Sequence, residues 1–244
     1  MTRESFASWP ALCGVFVTGT DTEVGKTRIS AALLHAAQTH GQRVAGYKPV
    51  ASGLTVLDGR RCNEDVALLH RYSTAALGLH QAEVGPCQFE TACAPHVAAA
   101  LEGRGIVLDE LLAGARHLAR RADWLVVEGA GGWRIPFDAR HDSSDLARAL
   151  GLPVVLVVGL RLGCINHALL TAESIRARGL TLAGWVGNSV DADMPLRQQT
   201  VDTLRHWLQP APCLGIVPWL PQPTPERVAA ALDATALPGW PTRA

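Results

Sequence analysis

At 244 residues, with 48% hydrophobic and 18% charged residues, the chain is long enough for one large α/β domain and has the composition of a well-packed globular protein. Its 22 basic residues match 22 acidic ones, so bulk electrostatics favour neither nucleic acid nor an anionic membrane, and a polyanionic ligand must be held by a local site. Six scattered cysteines without a Cys-x-x-Cys pair or zinc spacing read as reduced thiols, the apolar run 152–160 is too short to span a bilayer, and residues 1–10 lack the apolar core of a signal peptide, so a cytoplasmic protein is expected.

The first element is a short apolar strand (Val15, Phe16, Val17) feeding a turn that ends in Gly25-Lys26-Thr27. Apolar residues then recur at helical spacing at Ile29, Leu33, Leu34 and Ala37. Successive backbone N–H groups and the positive end of the following helix make such a turn an anion site. Lys26 supplies a mobile charge for the β- and γ-phosphates of a nucleotide, and the Thr27 hydroxyl is placed to ligate the magnesium that bridges them. The usual first glycine position falls on Thr20, with Gly19 one residue earlier, so the loop reads as one residue longer, with Asp21 and Glu23 facing a polyanion.

A second strand is expected over 43–47, stopping at Lys48-Pro49. If it neighbours the first, Lys48 stands beside the phosphate loop. A lone lysine is normally a solvated cation; at a strand's carboxyl end it can instead neutralise charge developing in phosphoryl transfer. Between residues 51 and 95 the pattern weakens, and only 64–72 reads as a helix, with Asp65 in its first turn. A long irregular insertion in a compact α/β domain is usually functional, so substrate contacts are expected here.

Helices follow from Pro95 and over 108–121, then the run Trp-Leu-Val-Val-Glu-Gly-Ala-Gly-Gly at 124–132. Four apolar residues ending in a carboxylate describe a buried strand delivering Glu128 to the carboxyl edge of the sheet, where ligands bind in open α/β sheets. Further helices are expected over 143–150, 165–178, 196–208 and 225–236, and strands over 153–158, 182–187 and 214–217. The tails, about 1–11 and 237–244, are expected to be flexible. The alternation predicts a single-domain, P-loop NTPase-like, three-layer α/β/α fold with a mostly parallel central sheet. Thr27, Asp65 and Glu128 together offer three oxygen ligands for Mg2+, which water and phosphates would complete.

Four blocks in order, Gly-Thr-Asp-Thr-Glu-Val-Gly-Lys-Thr at 19–27, Gly-Tyr-Lys-Pro-Val-Ala-Ser-Gly at 46–53, Val-Glu-Gly-Ala-Gly-Gly-Trp at 127–133 and Gly-Cys-Ile-Asn-His at 163–167, resemble dethiobiotin synthetase. With weaker similarity between them, the resemblance covers about residues 14–226, and the lengthened loop followed by Lys-Pro-Val-Ala-Ser-Gly is specific to that family among P-loop proteins. It implies an ATP-dependent cyclo-ligase that takes 7,8-diaminononanoate, CO2 and MgATP to dethiobiotin, ADP and phosphate through a carbamate and a carbamic-phosphoric anhydride.

Carried over by position, the resemblance makes Lys26 and Lys48 the catalytic cations, Lys26 on the phosphates and Lys48 between carbamate and γ-phosphate. ATP contacts are implied for Glu23, Val24, Gly25, Lys26, Thr27, Arg28, Asp65, Glu128, Gly129, Ala130 and Gly131. On the base side they are implied for Asn188, Ser189, Pro218, Trp219, Leu220 and Glu226. The diamine would meet Ser52 and, from a neighbouring subunit, Gly163, Cys164 and Asn166, so a homodimer with sites at its interface is implied. Cys164 reads equally as a small buried thiol. The chain departs from the family at Ser189, where Asp is frequent and which bears on selectivity for the base, and at Cys93-Ala94, where Thr-Ser is common. The other reading is a P-loop switch ATPase acting through a protein or membrane partner. It needs an exposed apolar docking element, and none is clear in the sequence.

Overall fold

A computed structural model describes residues 12–57 and 59–241. In chain order the elements are β1 (Gly14–Gly19), α1 (Lys26–Thr39), β2 (Val44–Tyr47), β3 (Val50–Ser52), β4 (Thr55–Leu57), β5 (Arg60–Cys62), α2 (Glu64–Tyr72), α3 (Gln81–Val84), β6 (Cys87–Phe89), α4 (Pro95–Leu101) and α5 (Leu108–Ala119). They continue with β7 (Trp124–Glu128), α6 (Ser143–Leu150), β8 (Val154–Leu160), α7 (Cys164–Ala177), β9 (Leu182–Ser189), α8 (Arg197–Trp207), β10 (Cys213–Val217) and α9 (Pro225–Ala229).

Six strands form one parallel sheet in the order β10-β9-β8-β1-β7-β2. Side chains alternate across each strand, and both sets are buried. Val15 and Val17 of β1 join Val126, Val155, Ile29, Leu33 and Leu34 on the face covered by α1. Phe16, between them, joins Leu125, Leu156, Leu111, Leu146 and Ala168 on the face covered by α5, α6 and α7. This is the three-layer α/β/α fold expected from the sequence, and it explains why the strands read as unbroken apolar runs. Each fully buried leucine, such as Leu33 at 0% exposure, contributes about 2 kcal/mol of transfer free energy.

The local signals work as their chemistry dictates. Asn63 caps α2, its Oδ1 accepting from the amides of Asp65 at 3.0 Å and Val66 at 3.4 Å. Asp142 caps α6 in a reciprocal box with Asp145, and Gly151 closes that helix in the left-handed region.

Three expectations change. The weakly patterned insertion is built of short pieces: β3 pairs parallel with β6, and β4 with β5 as a hairpin. The final helix ends at Ala229 because Gly215 bridges Leu232 and Asp233 donates to Leu214 O at 2.7 Å, drawing the chain along the sheet edge. Residues 237–241 are packed rather than frayed: Leu237 is 3% exposed, and the Trp240 ring stands edge-on to Trp124 at 5.1 Å. Residues 1–11 and 242–244 lie outside the described residues.

Leu237→Ala is therefore expected to lower unfolding free energy by about 2–3 kcal/mol in urea titrations, as a core truncation does. A flexible tail would leave the midpoint unchanged.

Candidate functional site

Parallel register brings the site together. Val17 of β1 is level with Glu128 of β7, and Tyr47 of β2 is level with Val127, so the residue after β2, Lys48, stands beside Glu128 at the carboxyl edge. β2 is not the neighbour of β1, since β7 lies between them. Lys48 nevertheless reaches the phosphate loop's end of the sheet, its amide anchored on Val84 O at 2.7 Å.

Glu128 has 0% and Lys48 3% exposure. Lys48 Nζ donates to Glu128 Oε1 at 2.6 Å and to Gly129 O at 3.2 Å, and pairs with Asp65 Oδ2 at 3.0 Å. The Thr27 hydroxyl donates to the same Glu128 oxygen at 2.8 Å. Burial alone would lower the Lys48 pKa, but the opposed carboxylates of Glu128 and Asp65 outweigh it and raise it above the usual lysine value. Burial likewise works against ionised Asp65, and Lys48, Thr27 and Lys26 overcome it, holding Asp65 below the ordinary carboxylate range. The three residues proposed from sequence as metal ligands thus converge on one point.

Mg2+ fits these donors. Two carboxylates and a hydroxyl are the hard oxygens that cation takes, and Glu128 Oε2 is buried without a hydrogen-bond partner. Among the described residues no group of three or more His, Cys, Asp or Glu could hold a metal, so binding here would rely on Thr27 and on phosphate oxygens as co-ligands.

The loop itself explains the displaced glycine. A Cβ on Gly19 would lie 2.6 Å from Val24 Cγ2 and 3.1 Å from Lys26 Cδ, so Gly19 makes room for the lysine stem. Val24 is buried against Gly19 and Gly159; it anchors the loop through its side chain. Glu23 takes a left-handed conformation at φ 60° and Gly25 one at φ 91°. A Cβ on Gly25 would meet Asn188 Nδ2 at 2.3 Å, and that amide donates to Val24 O at 2.9 Å. Asn188, assigned from sequence to the base, therefore also braces the loop.

Lys26 Nζ donates to Asp21 O at 2.8 Å. Burial and then the Lys48 ammonium bring its pKa down to about 8, against opposing pulls from Glu128, Asp65 and Asp21. Asp21 does not face the anion site unneutralised, as the sequence suggests, because its carboxylate pairs with Arg161 at 2.5 Å.

A cleft of about 470 Å³ lined by Thr22, Glu23, Gly25, Lys26, Thr27, Arg28, Lys48, Glu64, Asp65 and Gly131 covers this array. A second, about 190 Å³, shares Glu23, Gly25 and Arg28 with it and extends to Asn188, Ser189, Pro218, Trp219 and Leu220. Gly129 enters only through its carbonyl, and Ala130 lines neither cleft.

Glu226 also lies outside both clefts: its carboxylate accepts from the Tyr72 hydroxyl at 2.5 Å, on the α1–α2 side. Ser52 donates to Cys93 O at 2.6 Å. Gly163 and Asn166 are exposed at the start of α7, whereas Cys164 is buried there. Sequence reasoning missed Arg161, although a cation directly after a central strand is the signal that singled out Lys48.

A family model described as AAA domain matches residues 13–227. Among solved structures, the chain is similar to the MinC:MinD cell division protein complex of Aquifex aeolicus, with TM-score 0.56, 14% identity and coverage of 92% of this chain and 93% of that one. A ParA family ATPase from Chlorobium tepidum matches with TM-score 0.52, 16% identity and 86% of each chain covered. The septum site-determining protein MinD complexed with Mg-ADP from Pyrococcus horikoshii matches with TM-score 0.50, 12% identity, and 91% and 88% covered. At these identities the likeness is one of fold.

Removing Glu128 leaves the buried Lys48 ammonium with only the partly exposed Asp65 as a charged partner. Glu128→Gln is expected to cost about 3 kcal/mol of stability in urea titrations, and the double change Glu128→Leu with Lys48→Met to recover most of it.

Proposed function

The chain belongs to the AAA domain family, and from that premise we propose that it is an ATP-dependent dethiobiotin synthase, joining 7,8-diaminononanoate and CO2 with release of ADP and phosphate. The observation that carries this reading is the second buried ammonium, Lys48, set beside Glu128 and Asp65 at the carboxyl edge of the sheet. Binding a nucleotide calls for Lys26, Thr27 and an acidic residue. A fixed charge on the far side of Glu128 suits a reaction in which an oxyanion attacks the γ-phosphorus. The four sequence blocks resembling dethiobiotin synthetase support the same assignment, and the family that the chain belongs to includes proteins of that kind.

In this scheme the loop amides and Lys26 hold the triphosphate, and Asn188, Pro218, Trp219 and Leu220 receive the base. One amine of the diamine combines with CO2 as a carbamate. Its oxygen attacks the γ-phosphorus, ADP departs, and the second amine displaces phosphate from the carbonyl carbon, closing the ring. Lys48 lowers the repulsion between carbamate and γ-phosphate, and Ser52 meets the diamine. Mg2+ held by Thr27, Asp65 and Glu128 would neutralise the β- and γ-phosphates. Most of the catalysis is then positioning and charge stabilisation.

The apolar tail and carboxylate of the substrate would be met by Gly163 and Asn166 of a second copy, whereas Cys164, assigned to the substrate from sequence, is buried in the core and offers it no side chain. Leu162, 97% exposed just before α7, and Leu170, 58% exposed within it, are apolar side chains that a homodimer would cover. The same side chains would suit the docking element that a switch ATPase needs. That second reading is favoured by the likeness to MinD and ParA proteins, whose descriptions lie nearer to it than to a ligase.

The assay that separates the two supplies purified protein with MgATP, bicarbonate and 7,8-diaminononanoate. Dethiobiotin and ADP are expected in equal amounts. Diamine-independent hydrolysis stimulated by a protein or membrane partner, without dethiobiotin, would establish the switch instead. Lys48→Gln is expected to reduce kcat by about two to three orders of magnitude while ATP affinity changes little, because its charge acts on the transition state. Leu162→Asp is expected to give a monomer of low activity in sedimentation and turnover assays. An active monomeric wild type would exclude contacts donated across an interface.

A further inference from the structure

A carboxylate within a phosphate loop opposes the anion that the loop binds, so Asp21 requires an explanation. Its carbonyl holds the Lys26 ammonium at 2.8 Å, which places the residue next to the phosphate cation. Its carboxylate is engaged on both oxygens: Oδ1 accepts from the Thr22 amide at 2.8 Å, and Oδ2 pairs with Arg161 Nη2 at 2.5 Å. Arg161 directly follows β8, which runs beside β1 with Val157 level with Gly19. The Thr20 amide continues that ladder to Val157 O at 3.0 Å. The loop is thus joined to β8 through its backbone and, one residue on, through the ion pair.

We propose that Arg161 is a positioning residue for nucleotide binding, acting through Asp21: it neutralises the one carboxylate whose backbone holds Lys26, so that the loop presents donors without an opposing charge. The inference rests on the ATP-binding part of the proposed function and is independent of the ligase reaction. Both side chains are close to half exposed, at 44% and 47%, so the pair adds little to folding. Its effect falls instead on a polyphosphate, whose several charges all feel an unneutralised Asp21. Arg161 also lies on the connection that leads to Gly163 and Asn166, so the pair links the phosphate loop to that segment.

The test is calorimetric titration of MgATP and MgADP into wild type, Arg161→Ala, Arg161→Lys, Asp21→Asn and the double variant Arg161→Ala with Asp21→Asn. Arg161→Ala is expected to raise the Kd for MgATP about fivefold at low salt, with a smaller rise for MgADP and at high salt, and an unchanged Tm. Arg161→Lys is expected to stay close to wild type, and Asp21→Asn to restore affinity in the Arg161→Ala background. A brace without an electrostatic role would not recover on losing its second end, so absence of that rescue overturns the proposal, as does an unchanged Kd in Arg161→Ala. Persistent weak binding in the double variant therefore overturns it, whether Arg161 is a plain brace or touches the nucleotide itself. A wild type that binds MgATP yet forms no dethiobiotin removes the ligase reading and leaves this inference standing.

Discussion

A carboxylate with no access to water has to be neutralised by the protein, and Glu128 is such a carboxylate. It ends the interior strand β7, so the requirement falls on whatever the parallel register sets beside it. On one side that is Thr27, at the first turn of α1; on the other it is Lys48, one residue past β2. Asp65 then shares Lys48 from the start of α2. Four elements are thereby tied at one edge of the sheet by charge and hydrogen bonding rather than by apolar contact. A cluster of this kind is a poor source of net stability, because desolvation consumes much of the Coulombic gain. What it does is hold two carboxylates and an ammonium in fixed positions at the carboxyl edge of the sheet.

The phosphate loop shows the same economy of space. Lys26 lies back along the loop, and its stem occupies the volume that any side chain at Gly19 would fill. Val24 pins the loop into the core between β1 and β8, while Asn188 at the end of β9 binds the Val24 carbonyl. Left-handed backbone at Glu23 and Gly25 is held in place by these surroundings. The loop is therefore preorganised from three strands, and its nucleotide would meet donors already fixed.

The fold alone does not choose a reaction. P-loop sheets of this order carry different activities, and the solved structures that share it here are related by shape at 12–16% identity. The features on which a reaction would turn are local: a second buried lysine, exposed leucines before and within α7, and an arginine set against the loop's own acid. In the proposals above they would act at the γ-phosphate, at a subunit or partner surface, and on nucleotide affinity, respectively.

Periodicity and punctuation in the sequence were enough to determine the strands of the main sheet, the helices over them and the three-layer arrangement, because burial on both faces leaves apolar runs that survive any detail of packing. The Gly-Lys-Thr turn and a glutamate ending an apolar strand likewise mark their positions at the carboxyl edge of the sheet locally. Other features depend on residues far apart in the chain and leave no local mark. The order of strands, with β7 between β1 and β2, decides that Lys48 meets Glu128 rather than the loop directly. Tertiary contacts decide that Glu226 is taken by Tyr72, that Asp21 is answered by Arg161, and that the proline-rich tail packs through Trp240 onto Trp124. The physical reason is common to all of these. A hydrophobic period is written into consecutive residues, whereas a charge pair or a ring contact is fixed only when the folded sheet brings its two halves within a few ångströms.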